Sequence, residues 1–288
     1  MNVARTPSEL EKRPRAVAIG SFDGVHRGHH AVIDAVRATG LAPTVVTFDP
    51  HPRIALGNKV ELLTTLERRL ELIGDAGVED VLVARFTPEL QQLAPEAFVE
   101  RYLLATGVEV VVAGPDFRFG VRRSGDLALL ERLGLQVVVV PVLPGVSSSA
   151  IRSALAEGDV VAAAEMLGRP FELDGIVVAG DQRGGTLGYP TANLRVDPNV
   201  LVPAYGIYAG FAEGTRAAVS VGTNPHYGGN ERRIEAFLLD FDGDLYGRRL
   251  VIELWRRLRD ERAFTREAEL VEQIARDVEH TKGAQRPV

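Results

Sequence analysis

The stretch AVAIGSFDGVHRGH, residues 16–29, determines how the first half of the chain is interpreted. Its opening part, AVAIGSF (16–22), is an apolar run of the length and composition of a buried strand. The part GSFDGVHRGH (20–29) then supplies glycine turns and opens the helical pattern HHAVIDAVRATG. A helix start directly after a strand offers free N–H groups and the positive end of a dipole, so it suits a phosphate group.

Two histidines mark this junction. His26 and His29 are three residues apart and could flank one anionic group, since imidazole can donate hydrogen bonds or carry positive charge. Gly24 and Gly28 permit sharp turns and a close approach of the backbone. The alternative interpretation is a simple strand–helix turn with two surface histidines. The chain has no GxxxxGK[ST] motif, and its glycine spacing here is not GxGxxG.

The alternation of strands and helices continues to about residue 165 and predicts an open α/β domain with a parallel sheet. The further strand-like runs are TVVTF (44–48), VLVARF (81–86), VEVVVAG (108–114) and LQVVVVPV (135–142). Helical patterns lie between them, including TTLERRLELIGDAG (64–77) and APEAFVERYLLATG (94–107). In such folds ligands bind beyond the carboxyl ends of the strands.

After Leu167 the pattern changes to short strands separated by glycine turns, which predicts a small antiparallel barrel. An amphipathic helix, FTREAELVEQIARDVEH (264–280), closes the chain. We therefore predict two domains, residues 1–166 and 167–288.

Composition excludes several classes of protein. The net charge of the 288-residue chain is -6, which disfavours nucleic acid as a partner, and the absence of cysteine excludes disulfides and thiolate sites. No apolar run reaches the roughly 18 residues of a membrane helix, and MNVARTPSELEKRPR is not a signal peptide. We expect a cytoplasmic protein without a membrane partner.

Three other segments of the first half carry polar groups at predicted strand ends. TFDPHP (47–52) contains two prolines, which predict an extended loop that holds Asp49 and His51 outside regular structure. GPDFRFG (114–120) offers arginine for phosphate and aromatic rings for a base. The serines of VSSSAIR (146–152) precede a helical pattern, where they serve as caps or direct hydroxyls and Arg152 at phosphates.

In the second half, RGGTLGYPTAN (183–193) ends in Thr191 and Asn193, whose oxygen atoms suit Mg²⁺ carried by ATP. The alternative is a structural turn with Asn193 as a cap. Glu235 interrupts RIEAFLLDF, a strand that is apolar on both faces and hence predicted to be buried. It is either a base that orients a hydroxyl for attack on a γ-phosphate, or a strand-end carboxylate paired with Arg232 or Arg233.

The set GSFDGVHRGH, TFDPHP, DFRFG and SSSAIR, in this order, resembles the FMN adenylyltransferase module of bacterial bifunctional FAD synthetases. The resemblance implies that ATP is bound by residues of the first and last of these segments: Gly20, Phe22, Asp23, Gly24, His26, Gly28, His29, Ser147, Ser148 and Arg152. It implies that FMN and a metal lie near Asp49, His51, Pro52, Asp116 and Phe117. His26 and His29 are the implied catalytic residues.

The pattern TLGYPTANL, PAYGIYA, VGTNP and IEAFLLDF, followed by DLYG, resembles the riboflavin kinase module of the same family. This implies a six-stranded barrel, Thr191 and Asn193 as ligands of Mg²⁺–ATP, and Glu235 as the catalytic base. It also implies ATP or flavin contacts from Gly188, Pro190, Tyr208 and Asn224. The chain departs from the family pattern at Ala179, Gly185 and His226.

Together the two resemblances predict an enzyme that uses ATP to convert riboflavin to FMN and FMN to FAD. Two alternatives remain at this point: only one half is catalytically competent, or the chain is a non-enzymatic flavin-binding regulator. A different nucleotidyltransferase with the HxGH motif would not explain the second half.

Overall fold

The computed structural model describes residues 1–180, 188–223 and 232–288, which form two compact units. The first unit comprises Met1–Glu61 and Leu66–Val146, and the second comprises Leu62–Thr65 and Ser147–Val288. The predicted contact residue Asn224 and the departures Gly185 and His226 lie outside the described residues.

The first unit is built on a sheet of six parallel strands in the order β1-β4-β3-β2-β5-β6. These strands are β1 Asn2–Ala4, β2 Arg15–Ile19, β3 Ala42–Asp49, β4 Asp80–Arg85, β5 Val108–Ala113 and β6 Gln136–Val139. The predicted parallel α/β fold is confirmed. No sequence pattern predicts β1, because three residues at an edge show no periodicity.

Helices cover both faces of this sheet, as a parallel sheet requires. They are α1 Arg27–Ala38, α2 Pro52–Ala55, α3 Leu66–Asp75, α4 Pro88–Gln91, α5 Pro95–Phe98 and α6 Leu127–Arg132. Buried residues of α1 and α3 pack with Ala16 and Ala18 on one face, while α5 and α6 pack with Val17 on the other. This alternation follows from the two-residue period of a strand.

The predicted helix over residues 94–107 is not one regular helix. It consists of α5, a π-helical turn at Val99–Leu103 and a 3-10 turn at Leu104–Thr106. Gly107 ends it with a φ of 84°, in the left-handed region that favours glycine. Two further 3-10 turns lie at Pro7–Glu9 and Val121–Arg123.

The second unit is a closed barrel of six antiparallel strands in the order β10-β11-β8-β7-β12-β9. The strands are β7 Phe171–Val178, β8 Ala192–Val196, β9 Gly206–Ala212, β10 Thr215–Thr223, β11 Arg232–Leu238 and β12 Arg249–Arg259. The barrel and the terminal helix, α9 Glu267–Gly283, are confirmed.

Two helices precede the barrel: α7 Ser148–Ala156 and α8 Val160–Leu167. Their apolar residues, such as Ile151 and Leu167, belong to the same buried cluster as the barrel interior. This compact unit therefore includes residues before 167, and the domain division at 166/167 stays a prediction. No helix among the described residues combines the length and the apolar character needed to cross a membrane.

Candidate active sites

The first candidate site lies at the carboxyl edge of the parallel sheet. Strand β2 is central, with β3 on one side and β5 on the other. The chain moves outward from β2 through β3 to β4 and then returns to β5, so the topology switches direction beside β2. The loops that follow β2, β3 and β5 meet at this switch point, which is where open α/β sheets bind ligands.

The loop between β2 and α1 has an unusual backbone. Phe22 and Val25 have positive φ values of 49° and 38°, and Gly24 between them has a φ of 83°. Left-handed conformations cost non-glycine residues of the order of 1 kcal/mol and cluster at functional sites. The side chains of Phe22, Asp23 and Val25 are buried, which holds the loop in this conformation.

His26 and His29 cap helix α1 reciprocally. The His29 backbone N–H donates to Nδ1 of His26, and the His26 backbone N–H donates to Nδ1 of His29, both at 3.3 Å. The two rings stack with centroids 3.7 Å apart. Since each Nδ1 is an acceptor, each neutral ring carries its proton on Nε2, where it is a donor suited to phosphate.

His26 is therefore not the surface residue of the alternative interpretation, and His29 is half-buried. His26 is 8% exposed, and a Cβ at Gly28 would lie 3.1 Å from its Cε1 atom. Gly28 thus makes room for the ring of His26. The first turn of α1 contains no acidic residue, so no carboxylate of that turn offsets the positive end of the helix dipole. We call His26, His29 and the loop 20–25 the histidine site.

The segment TFDPHP differs from its prediction. Asp49 is the last residue of β3, paired with Arg85, and His51 caps α2 by accepting the Arg53 backbone N–H on Nδ1 at 3.2 Å. The expectation that both residues lie outside regular structure is wrong for Asp49. Pro52 is the first residue of α2, where its missing N–H is not needed, so the proline starts a helix instead of an extended loop.

The loop after β5 carries Asp116 and Phe117. Phe117 is half-buried and stacks on Phe119, with ring centroids 5.6 Å apart. Asp116 and Arg118 are exposed. An apolar ring beside exposed charges is suited to a flat ligand that carries a phosphate.

Arg69 is a buried residue of this edge that the sequence analysis does not include. Its Nη1 donates to the Ser21 carbonyl at 2.8 Å, and its Nη2 donates to the Phe48 carbonyl at 3.4 Å. The sequence carries a signal that Arg69 is buried, because Arg69 lies at helical spacing from the apolar positions Leu66 and Ile73 of α3.

Ser147, Ser148 and Arg152 belong to the second unit, at the start of α7. Ser147 is the N-cap and accepts the Ala150 backbone N–H at 3.1 Å. Capping by this serine is thus present, and its part in phosphate binding stays a prediction. Ser148 and Arg152 are half-buried.

The second candidate site lies on two neighbouring strands of the barrel, β8 and β11. Glu235 of β11 pairs in register with Asn193 of β8. The Nε of Arg233 lies 2.5 Å from Glu235 Oε1 and donates to Asn193 Oδ1 at 3.0 Å. The Thr191 hydroxyl donates to Glu235 Oε2 at 3.4 Å. We call Thr191, Asn193, Arg233 and Glu235 the barrel site.

Two details of the barrel site correct the sequence analysis. Among the β11 side chains that the structure describes, Ile234, Ala236 and Leu238 face the buried interior, while the Glu235 side chain is 29% exposed. A closed barrel has one interior face, so the strand is not buried on both faces. Asn193 lies inside β8 and is not the cap of a turn.

Space for the Asn193 side chain depends on a glycine. A Cβ at Gly180 would lie 2.1 Å from Asn193 Nδ2, a separation that no side chain tolerates without movement. Gly180 therefore lets β8 present Asn193 to Arg233 and Glu235. No sequence motif places Gly180 or Arg233 in the site, although Arg233 is a predicted alternative partner of Glu235.

A cavity of about 240 Å³ lies beside Thr191. Pro190, Thr191 and Ala192 form one side of it, and the turn Phe241–Tyr246 forms another. Gly188 is exposed and left-handed, with a φ of 84°. Tyr208, in contrast, is fully buried in the barrel, where its hydroxyl donates to the Ala204 carbonyl at 2.5 Å. Its role in binding stays a prediction.

Comparison with known proteins covers both units. A family model for FAD synthetase matches residues 8–154, and a family model for riboflavin kinase matches residues 167–284. The chain belongs to the bifunctional riboflavin kinase/FMN adenylyltransferase family. The resemblance found in the sequence is confirmed.

Members of this family from several bacteria match the chain along nearly its whole length. The protein of that name from Listeria monocytogenes is 37% identical, over 96% of this chain and 94% of its own. The proteins from Bacillus subtilis and Escherichia coli K12 are 36% and 35% identical and cover 94% and 96% of this chain and 93% and 96% of their own. Both halves match together, so neither a single competent half nor a flavin-binding regulator is favoured.

A crystal structure described as a macrolide-efflux protein from Streptococcus pneumoniae has the same fold. It is 30% identical, with a TM-score of 0.87, and the match covers 97% of this chain and 98% of that one. Its name indicates transport, whereas both family models and the curated relatives indicate flavin nucleotide synthesis. We adopt flavin nucleotide synthesis, because the two family models match each half of the chain and the curated relatives match nearly its whole length.

Proposed function

We propose that the chain makes FMN at the barrel site and FAD at the histidine site, with ATP as co-substrate for both reactions. The juxtaposition of Glu235, Asn193 and Thr191 supports the kinase assignment most strongly. A carboxylate, an amide oxygen and a hydroxyl are brought together by one strand register.

At the barrel site we assign Glu235 as the base. It accepts the proton of the terminal ribityl hydroxyl of riboflavin while that oxygen attacks the γ-phosphorus of ATP and ADP leaves. An alkoxide need not form early, because phosphoryl transfer has a loose transition state. Glu235 then orients the hydroxyl and accepts its proton late in the transfer. Arg233 holds the carboxylate in place from one side.

Thr191 and Asn193 are the proposed ligands for Mg²⁺ carried by ATP. Their oxygens are the hard donors that Mg²⁺ prefers, and Mg²⁺ takes few protein ligands when phosphates supply others. No group of three or more His, Asp or Glu side chains in the described parts of the chain could hold a metal by itself, which fits a metal that arrives with its nucleotide. When bound, Mg²⁺ neutralises charge on the phosphates.

The cavity beside Thr191 is the proposed position of the nucleotide base. Leu238 and Phe241 supply apolar surface, and Asp244 supplies an acceptor on the turn. We also keep Gly188, Pro190, Tyr208 and Asn224 as proposed contacts for ATP or flavin.

At the histidine site a phosphate oxygen of FMN attacks the α-phosphorus of ATP, and pyrophosphate leaves. The attacking oxygen is already ionised, so the reaction needs charge neutralisation and positioning more than a base. His26 and His29 provide Nε2 donors, and the start of α1 provides backbone N–H groups and a favourable dipole. Gly20, Phe22, Asp23, Gly24 and Gly28 shape this loop for ATP.

The remaining assignments complete the adenylyltransferase. Ser147, Ser148 and Arg152 are proposed to contact the ATP phosphates. FMN and its metal are proposed to lie near the residues that follow β3 and β5, namely Asp49, His51, Pro52, Asp116 and Phe117. The matches to the family models support a division of the chain near residue 167.

We place both reactions in the cytoplasm, without nucleic acid or membrane partners. The net charge of -6 disfavours nucleic acid as a partner. The lack of cysteine fits a reducing compartment such as the cytoplasm.

Labelled ATP tests the whole proposal. With riboflavin and Mg²⁺, ATP labelled at the γ-phosphate should label both FMN and FAD, whereas ATP labelled at the α-phosphate should label FAD alone. Chromatography of the flavins separates the two. Absence of label from both products would refute the proposal.

A further inference from the structure

Arg69 joins the loop after β2, which leads to the histidine site, to the end of strand β3. It is 2% exposed, and its guanidinium donates to the carbonyls of Ser21 and Phe48. Ser21 opens the loop that leads to His26, and Phe48 precedes Asp49 at the end of β3. The hydroxyl of Thr47 also donates to the Ser21 carbonyl, at 3.2 Å, so Ser21 is held from two sides.

Two acidic groups act on the charge of Arg69, one in the loop after β2 and one at the end of β3. Burial lowers the pKa of Arg69, and the charges of Asp23 and Asp49 oppose that shift. Arginine remains protonated in proteins, so this is a buried cation. Within the described residues its Nε has no hydrogen-bond partner.

A second buried arginine of the first unit, on strand β2, shows what a purely structural role looks like. Arg15, 1% exposed, lies at the amino ends of the strands and forms an ion pair with Asp80. Its Nε donates to the Thr106 carbonyl at 3.0 Å, and its Nη2 donates to the Glu11 carbonyl at 2.6 Å. Every nitrogen of Arg15 is satisfied, whereas Arg69 keeps one donor without a partner. A buried donor of this kind lowers stability, so Arg69 stabilises the fold less completely than Arg15 does.

We infer that Arg69 is a positioning residue for adenylyl transfer, which fixes the loop of His26 and His29 relative to the strand end that carries Asp49. The single guanidinium spans two carbonyls, a geometry that the point charge of a lysine cannot reproduce. This inference rests on the proposed function of the histidine site. It assigns Arg69 no contact with substrate.

The test measures FAD formation from supplied FMN in Arg69→Lys and Arg69→Met, with riboflavin phosphorylation by the same protein as an internal reference. We expect kcat for FAD formation to fall about 10- to 100-fold in Arg69→Lys, since misplacement by about 1 Å has effects of this size. The KM values for ATP and FMN should change less than about threefold, because no substrate contact is lost. The reduction in Arg69→Met should be at least as large, and riboflavin phosphorylation should stay within about twofold.

Arg15→Met is the matched control for lost stability. It removes a buried arginine at the amino ends of the strands, away from the histidine site, so it should lower Tm while leaving kcat for FAD formation per folded molecule within about twofold. If Arg69→Met does not fold, Arg69→Lys decides the question.

Two results would overturn the inference: FAD formation by Arg69→Lys within threefold of the unchanged protein, or equal losses of both activities. If the unchanged protein makes no FAD from FMN, the proposed function fails instead.

Discussion

At the histidine site the side chains are held by backbone groups, whereas at the barrel site they are held by one another. His26 and His29 each bind a backbone N–H of the other residue, at the start of a helix. Glu235, Arg233 and Asn193 form a chain of side-chain contacts across two strands. We therefore expect the barrel site to be more sensitive to substitution than the histidine site, because a side-chain network fails when any one member moves.

The largest effect is expected from Glu235→Gln. The substitution keeps the shape of the side chain but removes its charge and its capacity as a base. FMN formation from riboflavin should fall by about 10³-fold, at the upper part of the usual range for a general base. FAD formation from supplied FMN serves as the control and should not change. A loss of less than tenfold in kcat for FMN formation would remove Glu235 from its proposed role.

His29→Ala should give the next largest effect, now confined to the other reaction. It removes an Nε2 donor and the ring that stacks on His26, so kcat for FAD formation should fall about 10²- to 10³-fold. His29→Gln, which retains an amide donor, should recover part of the loss. Unchanged FAD formation in His29→Ala would show that the histidine pair only caps the helix.

Each site has a glycine close to one of its side chains. Replacing that glycine by alanine adds a single methyl group and so compares the sensitivity of the two sites. Gly180→Ala places a Cβ 2.1 Å from Asn193 Nδ2, and Gly28→Ala places one 3.1 Å from His26 Cε1. We expect Gly180→Ala to lower kcat for FMN formation about tenfold or more, because displaced Asn193 also releases Arg233. Gly28→Ala should lower kcat for FAD formation only about three- to fivefold.

Stability provides the control for this pair. Alanine is favoured over glycine in a helix by up to about 1 kcal/mol, so Gly28→Ala should not lower Tm appreciably. Steady-state rates of both reactions in both variants, with Tm from thermal unfolding, measure these effects. Equal losses of kcat in the two variants would contradict the expectation that the barrel site is more sensitive to substitution than the histidine site.

The smallest effect on chemistry is expected at the amino edge of the sheet. Burial by itself raises the pKa of Asp80, but hydrogen bonds from Arg13, Arg15 and Asn2 outweigh it and hold the pKa below its ordinary value. Asp80 therefore stabilises the fold above its unfolded pKa of about 3.9, and this contribution disappears as the pH falls through the folded value. Asp80→Asn should cost about 3 kcal/mol at pH 7, because it leaves Arg15 buried without a charge partner.

Denaturant unfolding at several pH values checks this last expectation. The difference in free energy of unfolding between the unchanged protein and Asp80→Asn should shrink as the pH falls below about 4. Both activities per folded molecule should stay the same. A difference that persists at low pH would contradict the assigned charge interaction.

Residue patterns predict the two folds because each half has its own periodicity. Alternating strands and helices predict the parallel sheet, and short strands with glycine turns predict the barrel. No sequence pattern predicts strand β8, since the turn residues before Ala192 obscure a strand of five residues. The irregular helix after Pro95 was also not predictable, because its apolar spacing suits a regular helix equally well.

The sequence predicts candidate site residues from their chemical type, but it does not predict how their side chains are arranged. The motif around His26 and His29 shows two histidines near a helix start, yet it does not show that they cap that helix reciprocally. The role of Gly180 depends on a contact with Asn193 across a gap in sequence, which no local pattern encodes. Arg69 carries a weak signal, as a charged residue at an apolar helical position, and its partners become apparent only once β2 and β3 are adjacent.

Complementation between two variants, each of which lacks one of the two activities, tests most directly whether the chain holds two separate sites. With riboflavin, ATP and Mg²⁺, Glu235→Gln alone should make neither FMN nor FAD, and His29→Ala alone should accumulate FMN. A mixture of the two should make FAD, because FMN released by one variant is used by the other. If the folded variants each lack both activities, and the mixture makes no FAD, the proposal of two separate sites is wrong.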